Sequence, residues 1–176
     1  MKKTILITGA GTGIGKDAAF ALALRGHRVL ATTQTEAQSN ALKAESSQQN
    51  IVLEIFKLDI TQEADRESIS AYPIDVLINN AGMGESGSLA EVDMQRVRQI
   101  FEVNLFSTLA LTQVALRGMI ARERGSVLFV SSIAGRIPMP FLMPYSMSKF
   151  ALSAAGAGLR AEMDQLKKNI QIALIE

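Results

Sequence analysis

Thr8-Gly9-Ala10-Gly11-Thr12-Gly13-Ile14-Gly15 lies between a short apolar run, Thr4–Thr8, and a stretch that reads as helix, Ile14–Arg25, stopping at Gly26. A strand running into a glycine-rich turn and then a helix is the layout of a phosphate cradle. Gly9 permits the tight turn, Gly13 lets the backbone approach a pyrophosphate, and Gly15 lets the helix pack closely on the sheet. The N–H groups at the helix start lack intrahelical partners and face the anion. A nucleoside-triphosphate P-loop is excluded, because it needs glycine at Ala10 and Ser or Thr at Asp17. A glycine-rich turn with no ligand is the plain alternative.

Outward from this turn, apolar runs alternate with helical patterns, which predicts an α/β fold with a parallel sheet covered on both faces. The second strand is expected at Arg28–Thr33, followed by a polar helix near Thr35–Ser47. A third strand is expected at Ile51–Leu58 and a short fourth at Asp75–Ile78. A long helical stretch through Glu91–Arg124 precedes a fifth strand at Ser126–Ser131. A helix from Tyr145 to Leu166 and a sixth strand at Ile170–Ile175 complete the pattern. No repeat or linker divides the chain, so residues 1–176 read as one domain.

Composition narrows the function. With 18 basic and 17 acidic residues, net +1, the chain has no electrostatic footprint for nucleic acid or an anionic membrane. The absence of cysteine excludes disulfides, thiolate nucleophiles and Cys-ligated metals, and no metal is expected. Gly9–Gly15 ends the first apolar run too early for a signal segment or a membrane span. A soluble cytoplasmic protein is the expectation.

Tyr145 and Lys149 stand four positions apart in a helical segment, where i and i+4 side chains share one face. A phenol ordinarily titrates near ~10. A cation about 4 Å away favours the phenolate by roughly 4 kcal/mol at an effective dielectric near 20. The pair is thus a tunable acid/base. Ser132, upstream, carries a hydroxyl able to hold a carbonyl or alcohol oxygen and stabilise developing charge.

Thr8–Gly15, Asp59 after the third strand, Asn79-Asn80-Ala81-Gly82 after the fourth, Asn104, Ser131-Ser132 and Tyr145-x-x-x-Lys149 occur in one order. In that order the chain resembles the short-chain dehydrogenase/reductase family along its whole length. The resemblance implies a three-layer α-β-α Rossmann fold and reversible oxidation of an alcohol to a carbonyl with a nicotinamide cofactor. It implies Ser132, at the family spacing of thirteen residues from Tyr145, as the hydroxyl at the reacting oxygen, with Ser131 the last strand residue. Tyr145 is then the proton donor or acceptor. Lys149 tunes Tyr145 and bonds the nicotinamide ribose. Asn104 anchors a water chain behind Lys149, or else is a buried amide that kinks its helix. The implied cofactor residues are Gly9, Thr12, Gly13, Ile14, Gly15, Thr33, Asp59, Ile60, Asn80, Ala81 and Gly82, with Tyr145 and Lys149. Asp59 would contact the adenine amino group, unless it only caps the helix after it. Asn80 and Ala81 would contact the cofactor, and Asn79 would bond orphan backbone groups.

Cofactor choice is read at Ala31-Thr32-Thr33-Gln34. Relatives that prefer NAD usually carry Asp at Thr33; those that prefer NADP often carry Arg at Gln34 or a basic residue at Thr12. None is present, and hydroxyls at Thr12 and Thr33 lean the expectation to NADP over NAD. Ile133, Ile137-Pro138-Met139-Pro140 and Phe141-Leu142-Met143-Pro144 form an almost wholly apolar loop, which suggests a lipophilic alcohol or ketone substrate. Ala151, Ala154, Ala155, Gly156, Ala157 and Gly158 imply close helix approach. In the family, this helix and the one before it pair between subunits, so a homodimer or homotetramer is expected. Relatives usually continue past the position of Glu176 into a substrate-covering segment and a seventh strand, so the fold is expected to stop before its last strand. A cofactor-binding but inactive module is the alternative to the enzyme; a methyltransferase would leave Tyr145 and Lys149 unexplained.

Overall fold

The computed structural model describes residues 1–176. Six strands form one sheet in the order β3-β2-β1-β4-β5-β6, and every pair is parallel. They are β1 Thr4–Ile7, β2 Arg28–Thr33, β3 Glu54–Lys57, β4 Val76–Asn79, β5 Arg124–Val130 and β6 Asn169–Ile175. The helices are α1 Gly13–Leu24, α2 Glu36–Gln48, α3 Glu63–Ser68, α4 Met94–Phe101, α5 Thr108–Ala121 and α6 Met143–Gln165. Strand order reverses between β1 and β4, and in open parallel sheets that is where a crevice opens at the carboxyl ends.

Alternation along the strands builds two cores. Ile5, Ile7, Val29 and Ala31 pack with Ala19 and Phe20 of α1 and Leu42 of α2. Leu6, Leu30, Leu77, Val127 and Phe129 point to the other face, against Leu111 and Met119 of α5 and Leu152 and Met163 of α6. Each fully buried Val, Leu, Ile, Phe or Met among them contributes roughly 1.5–3 kcal/mol. Both sheet faces are thereby covered, as continuous apolar parallel strands require.

Three departures from the expected elements have physical causes. β3 begins at Glu54 rather than Ile51, because Ile51 N–H bonds the Ser46 carbonyl and closes the end of α2 instead of joining the ladder. Glu63–Ser68 forms a short helix that carries no apolar periodicity to announce it. The long helix contains a π-helical turn, Glu102–Ser107, between α4 and α5. There Thr108 Oγ1 donates to the Val103 carbonyl at 3.0 Å, five residues back. The run Met94–Ala121 is long and apolar enough to cross a membrane, but half of its apolar window is buried inside this fold.

Candidate active site

A cleft of about 970 Å³ opens at the carboxyl ends of β1, β4 and β5. Its walls include Gly9, Gly11, Thr12 and Ile14 after β1, Thr33 and Gln34 at the end of β2, and Asp59 and Ile60 after β3. Asn80–Gly84, Ser132, Tyr145 and Lys149 line it as well. Lys149 is the one basic residue among the lining side chains.

The glycine turn is held from across the sheet. Thr8 Oγ1 accepts from the backbone N–H groups of Asn80 (3.0 Å) and Ala81 (2.9 Å). Asn80 Nδ2 in return donates to the carbonyls of Thr8 (2.9 Å) and Gly9 (3.1 Å). Gly9 has φ +65°, and a Cβ there would come within 2.9 Å of Ala81 Cα. A Cβ on Gly15 would strike Asn80 Nδ2 and the Gly9 carbonyl, so α1 packs directly on this clamp. Gly13 also has φ +55° but touches nothing and does not line the cleft. Open space therefore lies beside Gly13, whereas Gly9 packs on Ala81 and Gly11 on Thr33, and Asn80 serves the turn with both amide protons. Asn79, expected to bond backbone groups, instead donates from Nδ2 to Thr112 Oγ1 at 2.9 Å.

At the start of α1, Thr12 offers no side-chain cap and the first turn carries no acidic residue. The N–H groups there are left for a ligand, at the positive end of the helix dipole. Ile14, on this turn, is 71% exposed and borders the cleft.

The end of the cleft that holds Ser132, Tyr145 and Lys149 is built where β5 runs out and α6 begins. Ser132 Oγ accepts from Ala134 N–H at 3.1 Å, which leaves its own proton free to donate. Ser131, by contrast, is buried and shares a 2.8 Å bond with Ser153 Oγ. Lys149 Nζ donates to the Val130 carbonyl at 2.8 Å and lies 5.6 Å from the Tyr145 ring centre. Burial lowers the Lys149 ammonium to about 8 from the ordinary 10.5. A Cβ on Gly135 would lie 2.9 Å from the Lys149 carbonyl, so the turn after Ser132 admits no side chain there. Asn104, buried in the π-helical turn, clamps the backbone of Met83: Oδ1 accepts from its N–H (2.8 Å) and Nδ2 donates to its carbonyl (2.9 Å). Asn104 Nδ2 also donates to Ser148 Oγ at 3.0 Å. Asn104 thus ties the π-helical turn both to the loop after β4 and to α6.

At the opposite end, Thr33 Oγ1 donates to the Thr35 carbonyl (3.0 Å) and pairs with Ser39 Oγ (2.6 Å) in a buried position. That hydroxyl, counted from the sequence as free for a phosphate, is committed to the start of α2. Thr35 and Gln38 complete a reciprocal cap there. Asp59 Oδ1 accepts from Thr61 N–H (3.0 Å) and Oγ1 (2.8 Å), and Oδ2 lies 3.5 Å from Gln34 Nε2. It turns the chain and borders the cleft as well.

The segments that continue from Met83–Gly84 and from Ile133 in the cleft wall meet each other. Gly87 N–H donates to the Phe141 carbonyl at 2.8 Å, and Glu85 pairs with Arg96 of α4 at 2.7 Å. Phe141 holds φ +60°, a strained backbone for a bulky residue, with its side chain exposed. Ile133, Ile137 and Met139 are exposed along the same segment. The motifs assign no role to the hydroxyl of Thr8, which ties the glycine turn to residues 80–81, or to that of Ser148, which ties α6 to Asn104. A polar side chain at a position that must be buried was the available signal.

Similarity to known proteins agrees with this geometry. The sequence profile of the short chain dehydrogenase family matches residues 3–176. An uncharacterised oxidoreductase of Bacillus subtilis is 36% identical over 99% of the chain and 64% of its own length. A very-long-chain 3-oxoacyl-CoA reductase of Phaeosphaeria nodorum is 32% identical over 94% of the chain and 52% of its own length. The crystal structure of an actinorhodin polyketide ketoreductase variant with NADPH superposes with a TM-score of 0.92 at 26% identity, covering 99% of this chain and 69% of that one. The chain thus spans about half to two thirds of the length of these relatives. Matched along nearly all of its residues, and carrying the same parallel sheet and crevice, this chain belongs to the short chain dehydrogenase family.

Proposed function

We propose that the chain carries the cofactor-binding and proton-transfer machinery of an NAD(P)-dependent oxidoreductase that interconverts an alcohol and a carbonyl. The observation that carries this reading is one cleft with an uncapped helix start at one end and Ser132, Tyr145 and Lys149 at the other. A dinucleotide fits the residues present: the open N–H groups of α1 suit its pyrophosphate, and the backbone of Gly9, Gly11 and Thr12 lines the cleft beside them. When bound, its nicotinamide supplies or accepts the hydride.

The chain's own residues do the rest. Ser132 donates its free proton to the substrate oxygen and opposes the charge that develops there. Tyr145 takes the alcohol proton in oxidation and returns it in reduction. Lys149, fixed by the Val130 carbonyl, presents its ammonium to the same ring.

The substrate reading is a lipophilic alcohol or ketone, supported by Ile133, which lines the cleft, and by the exposed Ile137, Met139 and Phe141 of the segment that follows it. The names of two relatives, a very-long-chain 3-oxoacyl-CoA reductase and a polyketide ketoreductase, support it too. The assay is NADPH and NADH oxidation with short- and long-chain ketones. Turnover that rises with chain length is expected. Cofactor binding without any turnover would leave only a binding module.

The end of β2 carries neither an acid to repel a 2′-phosphate nor a cation to attract one. A slight NADP preference, less than about tenfold, is proposed. Gln34→Arg adds a charge-assisted bond and should raise the NADPH-over-NADH ratio by about tenfold or more. An unchanged ratio would place the phosphate elsewhere.

Placement in the cytoplasm and assembly as a homodimer or homotetramer are further parts of the proposal. Phe106 is 56% exposed, and nothing lies within 4 Å of a Cβ built on Gly158. Light scattering tests the assembly: a species of twice or four times the chain mass is expected, and a monomer at all concentrations would refute it.

A further inference from the structure

Ser148 stands between Tyr145 and Lys149 on α6 and is completely buried. Its Oγ donates to the Tyr145 carbonyl at 2.7 Å and accepts from Asn104 Nδ2 at 3.0 Å. A serine hydroxyl has a single proton, so these two bonds fix one arrangement. Asn104 in turn holds both backbone groups of Met83. The adjacent Gly82 sits against Asn104 and Lys149: a methyl placed there would lie 3.2 Å from Asn104 Oδ1 and 3.6 Å from Lys149 Nζ. The contacts close a ring from Tyr145 through Ser148, Asn104 and residues 82–83 to Lys149, and back along one helical turn.

Ser146 is the built-in contrast. It is as deeply buried, two residues away on the same helix, yet its hydroxyl has no partner. Burial alone therefore does not explain the wiring of Ser148.

We propose that Ser148 is a positioning residue: its hydroxyl holds the first turn of α6 in register with the 82–83 wall and so sets where Lys149 stands relative to Tyr145. The proposal rests on the oxidoreductase reading for its effect on rate, but not for its effect on Lys149. Without the hydroxyl, one Asn104 amide proton is orphaned in the interior. Asn104 must then turn to find another acceptor, which releases Met83 and loosens the wall over Lys149. Lys149 has no ion pair, and burial alone displaces its titration. Tyr145 is the titratable side chain against it; the Met83, Asn104 and Val130 groups on the other elements are uncharged.

The test compares Ser148→Ala, Ser146→Ala and Ser148→Thr. Heteronuclear NMR of the lysine side chains follows Lys149 through pH, and kcat and KM are measured in parallel. In Ser148→Ala the Lys149 midpoint should rise from about 8 toward the ordinary lysine range, by about half a unit or more, as water reaches it. Turnover should fall about tenfold with cofactor KM little changed. Ser146→Ala should leave both readouts in place, and Ser148→Thr, which keeps the hydroxyl, should restore them. Should the alanine variant not fold, Ser148→Cys, a weak donor and acceptor, should show the same displacement in smaller measure. Identical Lys149 titrations in the Ser146 and Ser148 variants would overturn the proposal. Absence of turnover in the wild type would instead overturn the oxidoreductase reading, and the titration would still decide the role of Ser148.

Discussion

Tyr145→Phe should reduce alcohol or ketone turnover by about 10³-fold, within the 10²–10⁴ range that a positioned acid/base provides, while NADPH still binds. The loss corresponds to about 4 kcal/mol of transition-state stabilisation. The substitution isolates the phenol because the ring remains, and the bond tying this residue to Ser148 runs to its carbonyl. Steady-state rates alongside NADPH fluorescence separate the two effects. Wild-type rates in this variant would remove Tyr145 from the chemistry; loss of NADPH binding would assign it a structural part.

Lys149→Met should abolish turnover to a similar degree and at the same time stabilise the fold. Lys149 is 4% exposed, and burial alone lowers its ammonium to about 8. A lysine whose folded value lies below its unfolded value destabilises the fold while charged. That penalty is complete below about pH 8 and is relieved as pH rises from there toward 10.5, because the folded state releases the proton first. Its size is roughly 3 kcal/mol at 1.36 kcal/mol per unit. Methionine fills similar volume without charge but gives up the bond to the Val130 carbonyl, worth about 1 kcal/mol. A net gain of about 2 kcal/mol at pH 7, several degrees in Tm, should follow, and should shrink by pH 10. A lower Tm at pH 7 would mean that the ammonium stabilises this fold after all.

Much of the architecture was legible because strand and helix periodicities differ. Arg28–Thr33 coincides with β2, and α6 starts within two residues of the expected Tyr145, with Pro144 in its first turn. The π-helical turn was hidden, because one extra residue in a helix apolar nearly all round leaves the pattern unbroken. The short helix Glu63–Ser68 was hidden for the opposite reason: it buries nothing. In the site, the residues that meet could be read from motif order, and Ser132, Tyr145 and Lys149 do border one cleft. Their bonding partners could not be read. The Val130, Met83 and Tyr145 carbonyls are backbone groups, and any residue type supplies one. Thr33 misled for the same reason, since its neighbours Thr35 and Ser39 became acceptor and partner only once α2 had turned back over it.

The hydroxyl of Thr8 reaches residues 72 and 73 positions downstream, and Asn80 answers it across the same interval. Hence the phosphate turn cannot acquire its shape while β4 is still unpaired, however early Gly9–Gly15 leaves the ribosome. Contacts of such sequence separation form late and slowly. Under the proposed function, nucleotide affinity is a property of the assembled sheet, and a dinucleotide that binds only that state would act as a thermodynamic latch on folding.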